Sequence, residues 1–196
     1  SQPYAVCVDG NGTTKWEKTF SQESLANTGG LVAASTAEGD VVIGGELVLP
    51  ETDPGEYRIF LMRLSSDGDI RWVKTLTDHN TSLSALRITS DGNIILSGYW
   101  WLGEEQDGGY LAKADGDGNL LWERSSFDER VDYFPDLIET SQGDYVLLGH
   151  SFEAFSPSAI LVKTDSSGNP LWTRSPSSDN ILFYGANAIA EASDGG

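Results

Sequence analysis

The chain has 196 residues, 30 of them acidic and 12 basic, for a formal charge of −18. That balance excludes a general nucleic-acid binder, in which each phosphate must be met by a Lys or Arg, and disfavours adsorption to an anionic membrane surface. Apolar residues at 39% and aromatics at 10% exclude a disordered acidic tail, and no apolar run is long enough to span a bilayer.

In chain order, the first expected elements are two short strands, Tyr4–Asp9 and Thr14–Thr19, around a turn that holds Gly12. Cys7 lies in the first of them and is the only cysteine, so no internal disulfide can form. The sequence contains no signal peptide, and the chain is expected to be a mature or trimmed piece of something longer.

Three units of one plan follow, over 31–77, 83–126 and 135–176. Each has four expected strands, A to D. In the middle unit they are Ser84–Thr89, Asn93–Tyr99, Tyr110–Asp115 and Asn119–Arg124. Aliphatic runs such as Val41-Val42-Ile43, Ile94-Ile95-Leu96 and Tyr145-Val146-Leu147-Leu148 form the B strands, and Asp-Gly or Ser-Gly steps supply the turns between. The last element is a lone strand A, Asn187–Ser193, in the segment 186–196; residues 1–20 correspond to strands C and D alone.

The repeat is fixed by Trp16, Trp72, Trp122 and Trp172, which lie 56, 50 and 50 residues apart. Four residues before each stands a glycine (Gly12, Gly68, Gly118, Gly168), and three before that stands Asp9, Ser65, Asp115 or Asp165. A base follows two residues after each Trp, and Arg63, Lys113 and Lys163 recur in strand C, where carboxylates of the same or a neighbouring unit are the expected partners. Four antiparallel strands per ~50 residues point to an all-β chain, a β-propeller of four-stranded blades, with three whole blades and a partial terminal one. The chain is then one propeller domain or a fragment of a larger ring.

The segments Leu161–Trp172 and Tyr110–Trp122, with their Asp-x-x-Gly-x-x-x-Trp element, resemble the repeats of secreted and surface-anchored propellers of archaea and bacteria. They are similar also to the tryptophan-docking repeats of PQQ-like (quinoprotein) propellers. The resemblance implies a propeller fold, an extracellular or cell-surface location, and tryptophans that dock between blades.

Chemistry is sparsely signalled. Asp115, Asp117, Asn119 and Glu123 occupy positions 1, 3, 5 and 9 of a loop, a spacing that can converge oxygen ligands on calcium; the alternative is an ordinary Asp-Gly hairpin. Apart from calcium no cofactor is expected. His79 and His150 are the only histidines, and neither a Gly-x-Ser-x-Gly elbow nor a phosphate-binding glycine loop occurs. No catalytic residue is therefore assigned. Sequons stand at Asn11 and Asn80, of which Asn80, in a D–A loop, is the better glycan site.

Long B–C and D–A connections gather at one end of the blades, where binding residues are expected. They supply Trp100, Trp101, Tyr133, Phe134, Phe155 and Tyr184 among many acids. The leading expectation is a non-catalytic extracellular or cell-surface propeller serving structural assembly, adhesion or protein binding through this face, with a protein partner or a second copy. A carbohydrate-binding propeller is the alternative, since flat rings beside carboxylates also suit sugars. A quinoprotein-like or hydrolytic enzyme would need a pocket at the ring centre.

Overall fold

Seven tight turns organise the described residues. In the computed structural model, which describes residues 2–21, 25, 28–49, 56–101, 107–125, 127, 131–151, 159–175 and 186–193, all seven share one hydrogen-bond pattern. They begin at Asp9, Thr36, Ser65, Thr89, Asp115, Thr140 and Asp165. The amide of each first residue donates to the carbonyl four residues on, and the glycine three residues on donates back to the first residue's carbonyl. Those glycines have φ between +76° and +87°, the left-handed conformation that ends a three-residue hairpin loop.

Side chains reinforce the C–D turns locally. Asp115 Oδ1 accepts from the amides of Asp117 and Asn119 at 3.0 and 2.8 Å, and Asp9 and Asp165 make the same pair of bonds. At the remaining C–D turn Ser65 Oγ takes over, with longer bonds of 3.3 and 3.2 Å. This bonding of a side chain to amides two and four residues on is the physical reason for Asp or Ser at that position. It also draws the Asp9 carboxyl below the usual aspartate range, and at Asp165 the side-chain amide of Asn169, with the turn amides, does the same.

Between the turns lie the strands, and within each sheet consecutive strands pair antiparallel. The contact pattern divides the chain into two compact units, Ser1–Ser82 and Leu83–Gly196. The first unit holds a two-stranded hairpin, β1 (Tyr4–Val8) and β2 (Thr14–Thr19). It also holds a four-stranded sheet of β3 (Thr28–Ser35), β4 (Val41–Leu49), β5 (Glu56–Leu64) and β6 (Ile70–Thr75). The second unit holds two four-stranded sheets. One consists of β7 (Thr81–Ile88), which starts at the unit boundary, β8 (Ile94–Trp100), β9 (Gly108–Ala114) and β10 (Leu120–Ser125). The other consists of β11 (Tyr133–Glu139), β12 (Tyr145–His150), β13 (Ala159–Thr164) and β14 (Pro170–Arg174). There is no α-helix among the described residues, and so none long and apolar enough to cross a membrane.

The chain is thus all-β, built of repeated four-stranded antiparallel sheets. Residues 187–193 depart from expectation: among the described residues they form no strand pairing. A strand exists only through a partner, and the segment is held by side chains instead. Ile189 N donates to Asp136 Oδ2 at 3.1 Å, and Glu191 accepts from the amide and hydroxyl of Ser141 at 3.0 and 3.3 Å. The same clasp joins the two sheets of the second unit, where Glu139 accepts from the amide and hydroxyl of Ser90 at 2.6 and 2.9 Å.

Each unit has its own core. In the first, Phe60, Met62 and Leu64 of β5 cluster with Phe20, Leu25 and Ile43, and Ala5 and Trp16 of the hairpin pack against them. In the second, Ile160 and Val162 of β13 cluster with Leu111 of β9, and Trp122 of β10 packs against the same group. Corresponding repeat positions therefore meet in both units: one sheet presents its strand-C residue and its Trp, and the next presents the alternate face of its own strand C.

Candidate functional site

The four repeat tryptophans are half-buried, and two of them are seated on a glycine of the next sheet. The Trp16 indole lies on Gly68, where a Cβ would stand 2.8 Å from the ring, and its Nε1 donates to Ser66 O at 2.8 Å. Trp122 lies on Gly168 in the same way, at 2.7 Å. These turn glycines thus serve twice, giving the positive φ and leaving room for a ring. The bases that follow the tryptophans stay near them: Lys74, Arg124 and Arg174 sit 6.0, 5.5 and 6.0 Å from the centroids of Trp72, Trp122 and Trp172. Lys18 instead reaches Asp69 of the next sheet at 2.7 Å.

Strand-C bases pair inside their own sheets. Arg63 Nε meets Asp40 at 2.8 Å, Lys113 meets Asp91 at 2.8 Å and Lys163 meets Asp144 at 3.0 Å. Burial alone would raise the Asp40 carboxyl, but the Arg71 and Arg63 guanidiniums hold it below its usual value. Cys7 takes the corresponding place in β1 and is a free, half-buried thiol.

The loop-end aromatics divide into core and surface. Phe134 is fully buried and is not part of a binding face. Its ring fills the space left by Gly109, where a Cβ would fall 2.4 Å away, and it packs edge-on against Phe127 at 5.2 Å. Trp100 also turns inward, edge-on to the fully buried Tyr110 at 5.6 Å. Trp101 is 38% exposed, and Tyr133 is half-buried. Phe155 and Tyr184 lie outside the described residues.

A compact aromatic and acidic surface surrounds Trp101. Tyr99 meets the Trp101 ring edge-on at 4.2 Å with an interplanar angle of 80°. The Tyr99 hydroxyl donates to Asp107 at 2.8 Å. Burial, that bond and the charges of Asp107 and Asp132 push the hydroxyl well above the usual tyrosine value, so it stays a donor at neutral pH. On the adjoining sheet Tyr133 pairs in register with His150, their rings 5.2 Å apart. Sequence reasoning missed Tyr99, Asp107 and Asp132, and named His150 only as one of two histidines. The signal available for Tyr99 was strand alternation, which puts residues 99 and 101 on one side.

Of the calcium quartet, Asp115 and Asn119 meet in the C–D turn. Asp115 is occupied by the two turn amides and by Asn119 Nδ2 at 2.8 Å, while Glu123 accepts the Tyr110 hydroxyl at 2.9 Å. Asp117 contributes its backbone amide to the turn network. Among the described residues no group of three His, Cys, Asp or Glu side chains is placed to hold a metal. Asn80 is half-buried, and its Oδ1 accepts from the Tyr57 amide at 2.9 Å, tying the loop before β7 to β5. Neither the protein-family models nor the curated proteins searched contain a match to this sequence.

Proposed function

We propose that the repeated sheets are blades of a β-propeller of the PQQ-like, tryptophan-docking kind, and that the chain is a non-catalytic binding module acting outside the cell or at its surface. Support for the architecture comes from the seating of Trp16 on Gly68 and of Trp122 on Gly168, one repeat onward in each case. The binding reading is carried by one observation: Trp101 is exposed beside Tyr99 and Asp107 at the long-loop end of the second unit. A tryptophan propped edge-on by a hydrogen-bonded tyrosine loses little freedom when a partner covers it, which suits a protein-binding anchor. The runner-up, carbohydrate binding, draws on the carboxylate of Asp107 beside the same rings.

Immobilised chain presented with a glycan array and with a fraction of cell-surface proteins distinguishes these readings. The protein-binding reading expects capture of a protein but of no glycan. Trp101→Ala weakens that capture by about tenfold or more, the loss typical of a central aromatic anchor. Glycan retention lost in Trp101→Ala would transfer the site to sugars. Binding indifferent to Trp101 would remove the surface from consideration.

A further inference from the structure

On the protein-binding reading above, we infer that the Trp101 surface takes a lysine or arginine side chain of a basic protein partner. That side chain lies along the Trp101 ring with its charge towards Asp107 and Asp132.

Trp101 is the only exposed tryptophan of the six, and its neighbours decide what can cover it. Tyr99 pairs with Gly109 and Trp100 with Gly108, which brings Asp107, the residue before β9, to the same end of the sheet. There the Tyr99 hydroxyl is committed to Asp107, and the Tyr99 and Trp101 rings meet edge-on. The other sheet of the unit adds Asp132. Gly109 N donates to Val131 O at 3.4 Å and Asp132 N donates to His150 O at 2.8 Å, so the backbone before β11 is tied to both sheets. The charges of Asp107 and Asp132 both reach the Tyr99 hydroxyl and help to keep its proton in place.

The cost of burial selects the partner's charge. Asp107 is exposed and bonded to the tyrosine that touches Trp101, so a side chain that covers Trp101 also takes water from this carboxylate. A neutral side chain leaves that loss uncompensated, and an acidic one adds repulsion. A cation offsets it, and among aromatic faces tryptophan is the best seat for a cation. The aliphatic stem of Lys or the flat guanidinium of Arg also covers the apolar ring, which a bare metal ion does not.

The two segments that carry these residues are acidic in sequence. Residues 99–107 hold Glu104, Glu105 and Asp107 with no base, and residues 127–133 hold Asp128, Glu129 and Asp132 against Arg130. Arg130 lies outside the described residues. The other bases of the second unit serve its sheets. Arg87, Lys113 and Lys163 pair with Asp136, Asp91 and Asp144, and Arg124 and Arg174 lie by Trp122 and Trp172. A molecule of charge −18 also draws a basic partner from a distance and turns an acidic one away.

Nuclear magnetic resonance titration of the folded chain tests this. The probes are a hexapeptide of alternating lysine and glycine and its counterpart with glutamate in place of lysine. Binding is read from the backbone amides of Tyr99 and Asp132. The lysine peptide is expected to shift both, and the glutamate peptide neither. Trp101→Ala and Asp107→Asn each weaken the lysine peptide by about threefold or more, the range of a cation on an exposed ring. Asp132→Asn replaces Asp107→Asn if circular dichroism shows that variant unfolded. Asp117→Asn removes the same charge at the C–D turn of the sheet and is expected to leave the affinity unchanged. Equal weakening by Asp117→Asn would mean attraction to the acidic shell in general and overturns the proposal. Binding of both peptides alike overturns it too. If the lysine peptide leaves these amides unmoved while Trp101 still captures a protein, the cation is wrong and the binding surface stands. If both fail, the surface falls with it.

Discussion

A methyl group added to Gly68 would meet two obstacles, a backbone at φ +76° and the Trp16 ring 2.8 Å from the new carbon. Gly39 in the same unit has φ +87° with nothing within 4 Å, so it isolates the first obstacle. Gly39→Ala is expected to cost about 1–2 kcal/mol for the left-handed conformation alone. Gly68→Ala is expected to cost roughly 1–3 kcal/mol more, for forcing the ring out of its seat. Urea unfolding of both variants measures the difference. Equal losses would mean that the ring shifts freely and that the glycine is there only for the turn. At this scale the sequence was most legible, because the turn chemistry acts over four residues. Phe134 was not legible: its burial depends on Gly109, on the other sheet of its unit, whose absent side chain makes its room.

Between strands, the repeated unit is a base on strand C facing a carboxylate of the A–B turn. Arg63 with Asp40, Lys113 with Asp91 and Lys163 with Asp144 repeat this pairing in three sheets. Asp40 is 5% exposed and also receives Arg71 Nε at 2.7 Å, so Asp40→Asn removes the carboxylate that both guanidiniums share, while Arg63 keeps Glu38 at 3.6 Å. A loss of about 2 kcal/mol is expected, the scale of a hydrogen bond to a charged group. Its pH dependence has a definite sign. The folded-state carboxyl lies below the unfolded value of about 3.9, so its contribution is complete above that pH and lost as pH falls through the folded value. The gap in unfolding free energy between wild type and Asp40→Asn should therefore stay constant from neutrality to about pH 4 and close below it. A gap that closes near neutrality would show that the pair is not what the substitution removed. The bases were legible as repeat positions, but their partners were not fully so. In the middle sheet the carboxylate moves from the end of the turn, where Asn93 stands, to Asp91. The clasp from Glu139 to Ser90 was missed because it links residues of adjacent repeats whose side chains carry no local signature.

For the molecule as a whole, the charge of −18 implies self-repulsion that folding must overcome. Raising sodium chloride from roughly 0.01 to roughly 1 M shortens the Debye length from roughly 30 to 3 Å. The urea midpoint is expected to rise across that range. Calcium chloride at equal ionic strength is expected to raise it equally, because Asp115 and Glu123 are engaged in separate hydrogen bonds. A larger rise with calcium, lost in Asp115→Asn, would assign a metal to that turn after all. At this scale the number and plan of the sheets could be read from four tryptophan registers. The strand state of residues 187–193 could not, since pairing requires a partner that the segment's own residues do not encode.

The shared turn also bears on how fast the chain reaches its structure. Each of the seven hairpins closes over four residues, and the long-range contacts named above, from Trp16 to Ser66 and from Ser90 to Glu139, span only 50 and 49 residues. Nothing in them requires the two termini to meet before an interior sheet gains stability. Such a chain can nucleate at any hairpin and grow by adding the neighbouring repeat, as one-dimensional repeat proteins do. Its refolding should be quick for an all-β protein of this length, with the docking of adjacent sheets, not the closing of turns, as the slow event.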